Sequence, residues 1–327
     1  MVQLTATTSL VLLSLLLPSA LAADDLSQSI VGCNDLSCPK EGADDRCTVD
    51  DHTFLGVGLA RIIDAPSSLE GISLVKGVNV SAGGAGSDND KPTRPFTSVY
   101  YLGTPSDVKT SNLSGCAVIF NDPPSSKFDG ADLEGNTRNK TDTRAAYGTC
   151  PDVVDQRCIN ALTKRASEVA DDADSNPCSA LERELKKDDL DDCKNLGGAG
   201  NGLGNFTVTS FGDLKSVSNS SAECWPITPK SDGLAEIAVE TSHSNYTASA
   251  LIDEAYKITP VLTVFLSGNG SAVDETSSQL TCLKVVTKEN ASEAENGESS
   301  SASALEISGG VRAAGMAVLL GTVLATI

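Results

Sequence analysis

The chain has 327 residues, 40% apolar and 4% aromatic, with 44 Asp and Glu against 24 Lys and Arg, a net charge of −20. That length supports one large or two modest cores, and the acidity argues against nucleic acid and anionic membrane surfaces, which demand clustered Lys and Arg. Ten cysteines argue against a compartment that keeps thiols reduced, and the few aromatics argue against a protein that stacks sugars or bases.

Residues 1–22 read as a secretory leader. Leu10 to Leu17 form an apolar stretch closed by Pro18, and Ala20, Leu21 and Ala22 form a cleavage box that leaves Ala23 first. The ectodomain is expected over 23–288. Its first zone, 53–122, holds four β-like runs: Thr53–Ile63, Ile72–Val80, Thr97–Gly103 and Cys116–Asn121, separated by Pro and Gly punctuation. Glycine-rich loops are expected at Ser81–Pro92 and Asn195–Asn205.

The zone 150–194 is helical. Across Asp152–Ala170, Val154, Cys158, Leu162, Ala166 and Val169 fall on one stripe at spacing 3–4. Pro151 suits a first turn, and Thr149 with Asp152 forms a capping pair. A second helix follows Asn176 and Pro177, with Cys178, Leu181 and Leu185 on one side. The zone 205–287 returns to strands: Phe206–Phe211, Leu234–Thr241, Ile258–Leu266 and Leu280–Thr287. In the second of these, Ala235, Ile237 and Val239 alternate with Glu236, Ala238 and Glu240, so Val239 is expected to face inward. The fold class is therefore α+β: disulfide-stapled, sandwich-like sheets flanking an inserted helical hairpin. Two domains meeting near Gly130 or Gly200 is the alternative.

Residues 289–303 contain four glutamates and no large apolar side chain, the composition of a flexible stalk. The segment 304–327 then carries a polar spacer, 304–312, and an uncharged apolar run of fifteen residues, 313–327. As a helix that run reaches only ~22 Å, against a hydrocarbon core of ~30 Å. Small residues, a spacer of ~8–12 and a short apolar tail make up a GPI-attachment signal, which is removed and replaced by lipid. Ser301 is the attachment candidate, since Ala302 and Ser303 fill the next two small positions. Ser299, Ser300 and Asn296 remain open.

The cysteines are Cys33, Cys38, Cys47, Cys116, Cys150, Cys158, Cys178, Cys193, Cys224 and Cys282. Five disulfides follow, with the pairing open. Clustering suggests that Cys150, Cys158, Cys178 and Cys193 staple the helical hairpin internally, and at least one of Cys33, Cys38 and Cys47 must reach outside its own group. Eight N-glycosylation sequons stand at Asn79, Asn112, Asn139, Asn205, Asn219, Asn245, Asn269 and Asn290. Glycans spread so widely favour a shielded surface protein.

Residues for chemistry are scarce. No Gly-x-Ser-x-Gly elbow occurs, and of the two histidines His52 reads as a solvated turn and His243 as an exposed strand end. Asp172, Asp174 and Asn176 match three calcium-loop positions, but Pro177 replaces the required glycine, so the segment reads as a helix cap. The glycines at 198, 200, 202 and 204 lack a dinucleotide-binding spacing. Asp129, Asp132 and Glu134 read as a solvated charge run, and Trp225 as core. No catalytic, cofactor-binding or metal-ligating residue is expected.

The leader, the segment from Cys38 to Ile62, the strand sequences at 71–80 and 96–105, those at 115–122 and 148–162, and the stalk with its tail resemble GPI-anchored extracellular glycoproteins of filamentous fungi. The resemblance is one of layout and implies a cell-surface location without transferring any site residue. The expected function is a structural, adhesive or binding role at the surface, held to the outer leaflet of the plasma membrane by lipid or passed to the cell wall, with no cofactor. The alternative is a secreted carbohydrate-active enzyme, or a module binding wall polysaccharide, that uses an acidic cleft.

Overall fold

A computed structural model describes residues 31–32, 47–50, 52–81, 93–106, 108, 113–121, 150–173, 175–187, 189–194, 196–197, 202–217, 233–268 and 270–286. The leader, the stalk, the segment 304–327 with Ser301, and Cys33, Cys38 and Cys224 lie outside the described residues. So do Asn112, Asn139, Asn219, Asn269 and Asn290, the trio Asp129, Asp132 and Glu134, Asp174, Trp225, and most of the two glycine-rich loops.

Seven strands precede the helical zone: β1 (Val31–Gly32), β2 (Cys47–Val49), β3 (His52–Phe54), β4 (Gly56–Arg61), β5 (Ser73–Val80), β6 (Thr93–Thr104) and β7 (Gly115–Phe120). Helices α1 (Gln156–Asp171) and α2 (Pro177–Leu185) follow. Then come β8 (Phe206–Ser210), β9 (Lys215–Ser216), β10 (Gly233–Asn245), α3 (Ala248–Ala255), β11 (Thr259–Phe265) and β12 (Ser277–Leu283). The fold is α+β, with antiparallel sheets of order β1-β4-β5-β6-β10-β9 and β12-β11-β7-β8 beside a β2-β3 hairpin. β6 pairs with β10, and β7 with both β8 and β11, so strands from the two sides of the helical insertion interleave in each sheet. Neither sheet belongs to one side of Gly130 or Gly200.

Three layers result. Between the sheets, Leu74, Tyr100 and Leu102 meet Ile119, Val261 and Phe265. On the far face of the four-stranded sheet, Val118, Leu262 and Leu280 pack against Leu162, Ala166 and Leu181 of the helices. β7 and β11 are buried along their whole length, which is why both read as largely apolar runs rather than alternations. Each such aliphatic side chain contributes ~1.5–3 kcal/mol by leaving water. The β2-β3 hairpin covers the outer face of the six-stranded sheet, with the Phe54 ring seated over Gly77, where any Cβ would lie 2.6 Å from the ring.

α1 starts at Gln156, not at Asp152. Cys150–Asp152 instead form a 3-10 turn, and the Asp155 carboxylate caps the helix by accepting from Arg157 N–H at 2.8 Å. The reason lies ahead of the helix: Cys150 is bonded to Cys282 of β12, which fixes the chain before it can wind. Asn176 caps α2 from a left-handed conformation (φ 50°) by accepting from Ser179 N–H, and Asp172 is the C-cap of α1, so this acidic segment is a pair of helix caps.

The disulfides correct one expectation. Only Cys158–Cys193 lies within the helical zone. Cys116–Cys178 ties α2 to β7, and Cys150–Cys282 ties the α1 approach to β12. Because the helices lie flat on the four-stranded sheet, their cysteines find strand partners closer than one another. Cys47 is disulfide-bonded as well. Multiple disulfides fit a secreted protein, and among the described residues no helix is long and apolar enough to cross a membrane.

Candidate functional site: a polar cleft between the sheets

The site begins with a β-bulge. β10 pairs with β6 in one register up to Glu236, opposite Tyr101, and resumes with Ala238 opposite Tyr100, so Ile237 is an extra residue. One inserted residue turns every later side chain to the other face. Val239, expected inward, is 46% exposed, and Glu240 and Ser242 point into the sandwich. The alternation read from sequence holds before the bulge and inverts after it.

Glu240 and Ser242 meet Lys76, Lys257 and a second glutamate, Glu254, there. Lys76 of β5 is fully buried and donates to the Lys257 carbonyl (3.2 Å) and to Thr259 Oγ1 (2.9 Å), with its amine 5.9 Å from the centre of the Tyr100 ring. Lys257 Nζ pairs with Glu254 Oε1 of α3 at 2.7 Å and also donates to the Asn121 carbonyl at 3.3 Å. Ser242 Oγ donates to the same Glu254 oxygen. Lys284, also buried, donates to the Val285 carbonyl.

Burial, reinforced by the Lys257 charge, lowers the Lys76 amine from 10.5 to about 7, against the opposing pull of Glu254 and Glu240. The sign of the consequence follows from proton counting. Between about pH 7 and 10.5 the unfolded chain binds more protons at this site than the folded one, so stability rises with pH across that window and is reduced below it. Lys76→Met is therefore expected to stabilise the protein at pH 6 by about 1–4 kcal/mol, with the gain vanishing toward pH 10. Urea unfolding of both proteins at pH 6, 8 and 10 checks it. A pH-independent difference would contradict this account.

The cleft itself opens where β7 ends and β8 begins, beside the interior of β6 and the second half of β10. It holds about 220 Å³ and is lined by Ser98, Asn121, Thr207, Glu240, Ser242 and Lys257, among others. Burial pushes the Glu240 carboxyl above its ordinary value, although hydrogen bonds from Thr207 and Asn121 and the Lys257 and Lys76 charges oppose the rise. Glu254 moves the other way: burial alone would raise it, but Lys257 and the bond from Ser242 hold it below the usual carboxylate range. Two buried oxygens on the cleft wall, Glu240 Oε1 and Asn121 Oδ1, have no hydrogen-bond partner among the described residues. Glu254 does not line the cleft. The two carboxylates therefore do not converge on one space, as glycoside hydrolysis requires.

Of the residues singled out for chemistry from sequence, those that are described lie elsewhere. His52 sits in β3, stacked on Phe54 at 6.1 Å, and His243 is exposed on β10. Among the described residues no cluster of His, Cys, Asp and Glu is arranged to hold a metal. Of the sequons, Asn205 and Asn245 are exposed and Asn79 is half-buried. Asn205 adjoins the cleft: the β7-β8 ladder pairs Ile119 with Thr207 and Phe120 with Phe206, and on the next rung Asn121 N–H donates to the Asn205 carbonyl at 2.9 Å. A lone lysine within the apolar run Ser73–Val80, and the sequon overlapping a strand start at Asn205, were the signals available in the sequence. Compared with protein-family models, with curated proteins and with solved structures, the chain matches none.

Proposed function

We propose that this chain is an extracellular glycoprotein with a structural, adhesive or binding role, held at the cell surface by a lipid that replaces the segment after Ser301. The observation that carries the non-catalytic part is the internal use of the buried charges. Glu254 is taken up by Lys257 and Ser242, and Lys76 by the Lys257 carbonyl and Thr259. Of the two buried glutamates only Glu240 lines the cleft, so no second buried carboxylate is left to work with it there. The extracellular part is supported by the disulfides, which bolt the helical layer to the sheet.

The all-polar cleft with Glu240 in its wall favours a second reading, a module that acts on or binds wall polysaccharide. Two measurements separate the parts. Treating intact cells with phosphatidylinositol-specific phospholipase C is expected to release the protein into the medium. Retention, with residues 304–327 still present, contradicts the anchor. Incubating the purified ectodomain with a panel of wall glycans is expected to yield no cleavage products. Cleavage that disappears in Glu240→Gln would establish the second reading instead.

A further inference from the structure

We propose that the cleft seats the first sugar of an N-linked glycan carried by Asn205, so that the modification closes the cleft. The proposal rests on the extracellular reading above and is independent of the lipid anchor. Asn205 opens the triplet Asn205, Phe206, Thr207, and the third residue of that triplet is in the cleft wall. Residues on one rung of a ladder share a face, as do residues two apart on a strand. Asn121 and Asn205 are such a rung, and Thr207 is two residues on, so all three side chains lie on the cleft side, with Asn205 exposed at the rim.

The chemistry of the walls selects the occupant. Every lining side chain is polar, with one negative and one positive charge among them. An anion would meet Glu240, and a cation would meet Lys257 with Lys76 behind it. A neutral ring bearing hydroxyl and amide groups both donates and accepts, as walls carrying the Glu240 carboxylate, the Asn121 amide and the Ser98, Thr207 and Ser242 hydroxyls require. A space of about 220 Å³ admits a single such ring rather than a polymer. N-linked glycans begin with N-acetylglucosamine, a ring of this kind joined to the asparagine amide. The seat also places a bulky group at the start of β8, an edge strand of the four-stranded sheet, where an open ladder edge otherwise invites pairing with another chain.

The test uses the full protein secreted from its own cells, in three forms: untreated, trimmed by an endoglycosidase that leaves one sugar on each asparagine, and carrying Asn205→Gln. Peptide mapping is expected to find Asn205 occupied. The untreated and trimmed forms are expected to melt together, and Asn205→Gln about 4–8 °C lower, the shift set by two hydrogen bonds in a domain of this size. The exposed-site control Asn245→Gln should melt within about 2 °C of the parent. In a Glu240→Gln background, or in Asn121→Ala should that variant fold poorly, the Asn205→Gln gap should shrink by half or more. An empty Asn205, a trimmed form that melts as low as Asn205→Gln, or a gap unchanged by Glu240→Gln would each overturn the seat. Glycans at Asn245 with none at Asn205 defeat the seat alone, whereas glycans nowhere defeat the extracellular reading as well.

Discussion

Replacing Cys150 and Cys282 together by alanine is expected to cost about 5 kcal/mol of stability, the chain-entropy estimate for a bridge closing a loop of this length. The two cysteines are 132 residues apart in sequence, with Cα atoms 5.0 Å apart in the fold. The bond therefore withdraws a large share of the unfolded chain's freedom while both sulfurs sit in the core beneath the helices. For a protein of this size the loss corresponds to a fall of about 10–20 °C in melting temperature. Removing Cys158 and Cys193, which are 35 residues apart, should cost about 1 kcal/mol less by the same relation. Calorimetry of the secreted variants checks both the size and the order. A Cys150/Cys282 variant that melts with the parent would show that the α1 approach is held by packing alone.

Gly58→Ala is expected to prevent folding, or to cost upwards of about 4 kcal/mol, placing it among the rare severe substitutions. A Cβ on Gly58 would stand 1.7 Å from the Lys284 carbonyl oxygen and 2.5 Å from its carbon. Neither strand can give way. β4 is hydrogen-bonded between β1 and β5, and the chain beyond β12 is held against β4 by the Val57–Val286 bridge and by the buried Lys284 side chain. The glycine is needed there for closeness of approach, not for an unusual backbone angle. Gly212→Ala is the matched control, because its nearest neighbour would be Ser210 Oγ at 3.5 Å. It should lie within about 0.5 kcal/mol of the parent. Secretion yield and thermal unfolding of the two variants decide the matter, and a Gly58→Ala protein melting within about 2–4 °C of the parent would contradict the packing described.

The strands and the helical hairpin were legible because their signals are local. Val, Ile and Phe runs between prolines and glycines mark β4 to β7, and the Cys158, Leu162, Ala166 stripe marks α1. What sequence could not supply was partnership across distance. The bulge at Ile237 leaves no local trace, since its apolar neighbours fit either register, yet it alone decides that Glu240 faces the interior and Val239 the solvent. Nothing near Lys76 in the chain names its partners, because its acceptors lie 181 and 183 residues away. α3 was missed for a related reason: its eight residues, Ala248–Ala255, follow directly on a strand that runs to Asn245, four residues beyond its expected end at Thr241. The cysteines of the helical zone were grouped by proximity in sequence, whereas the flat packing of helices on the sheet pairs two of them with strands instead.

The central claim is that this chain is exported, oxidised and handed to a lipid before it works. Mass spectrometry of the protein purified from its own cells, digested without reduction, tests all three at once. The account predicts a first residue at Ala23, linked peptides joining Cys116 to Cys178, Cys150 to Cys282 and Cys158 to Cys193, and a lipid-bearing C-terminal peptide ending in the serine cluster at 299–301. A polypeptide that retains its first 22 residues, ends at Ile327 and carries free thiols would contradict it.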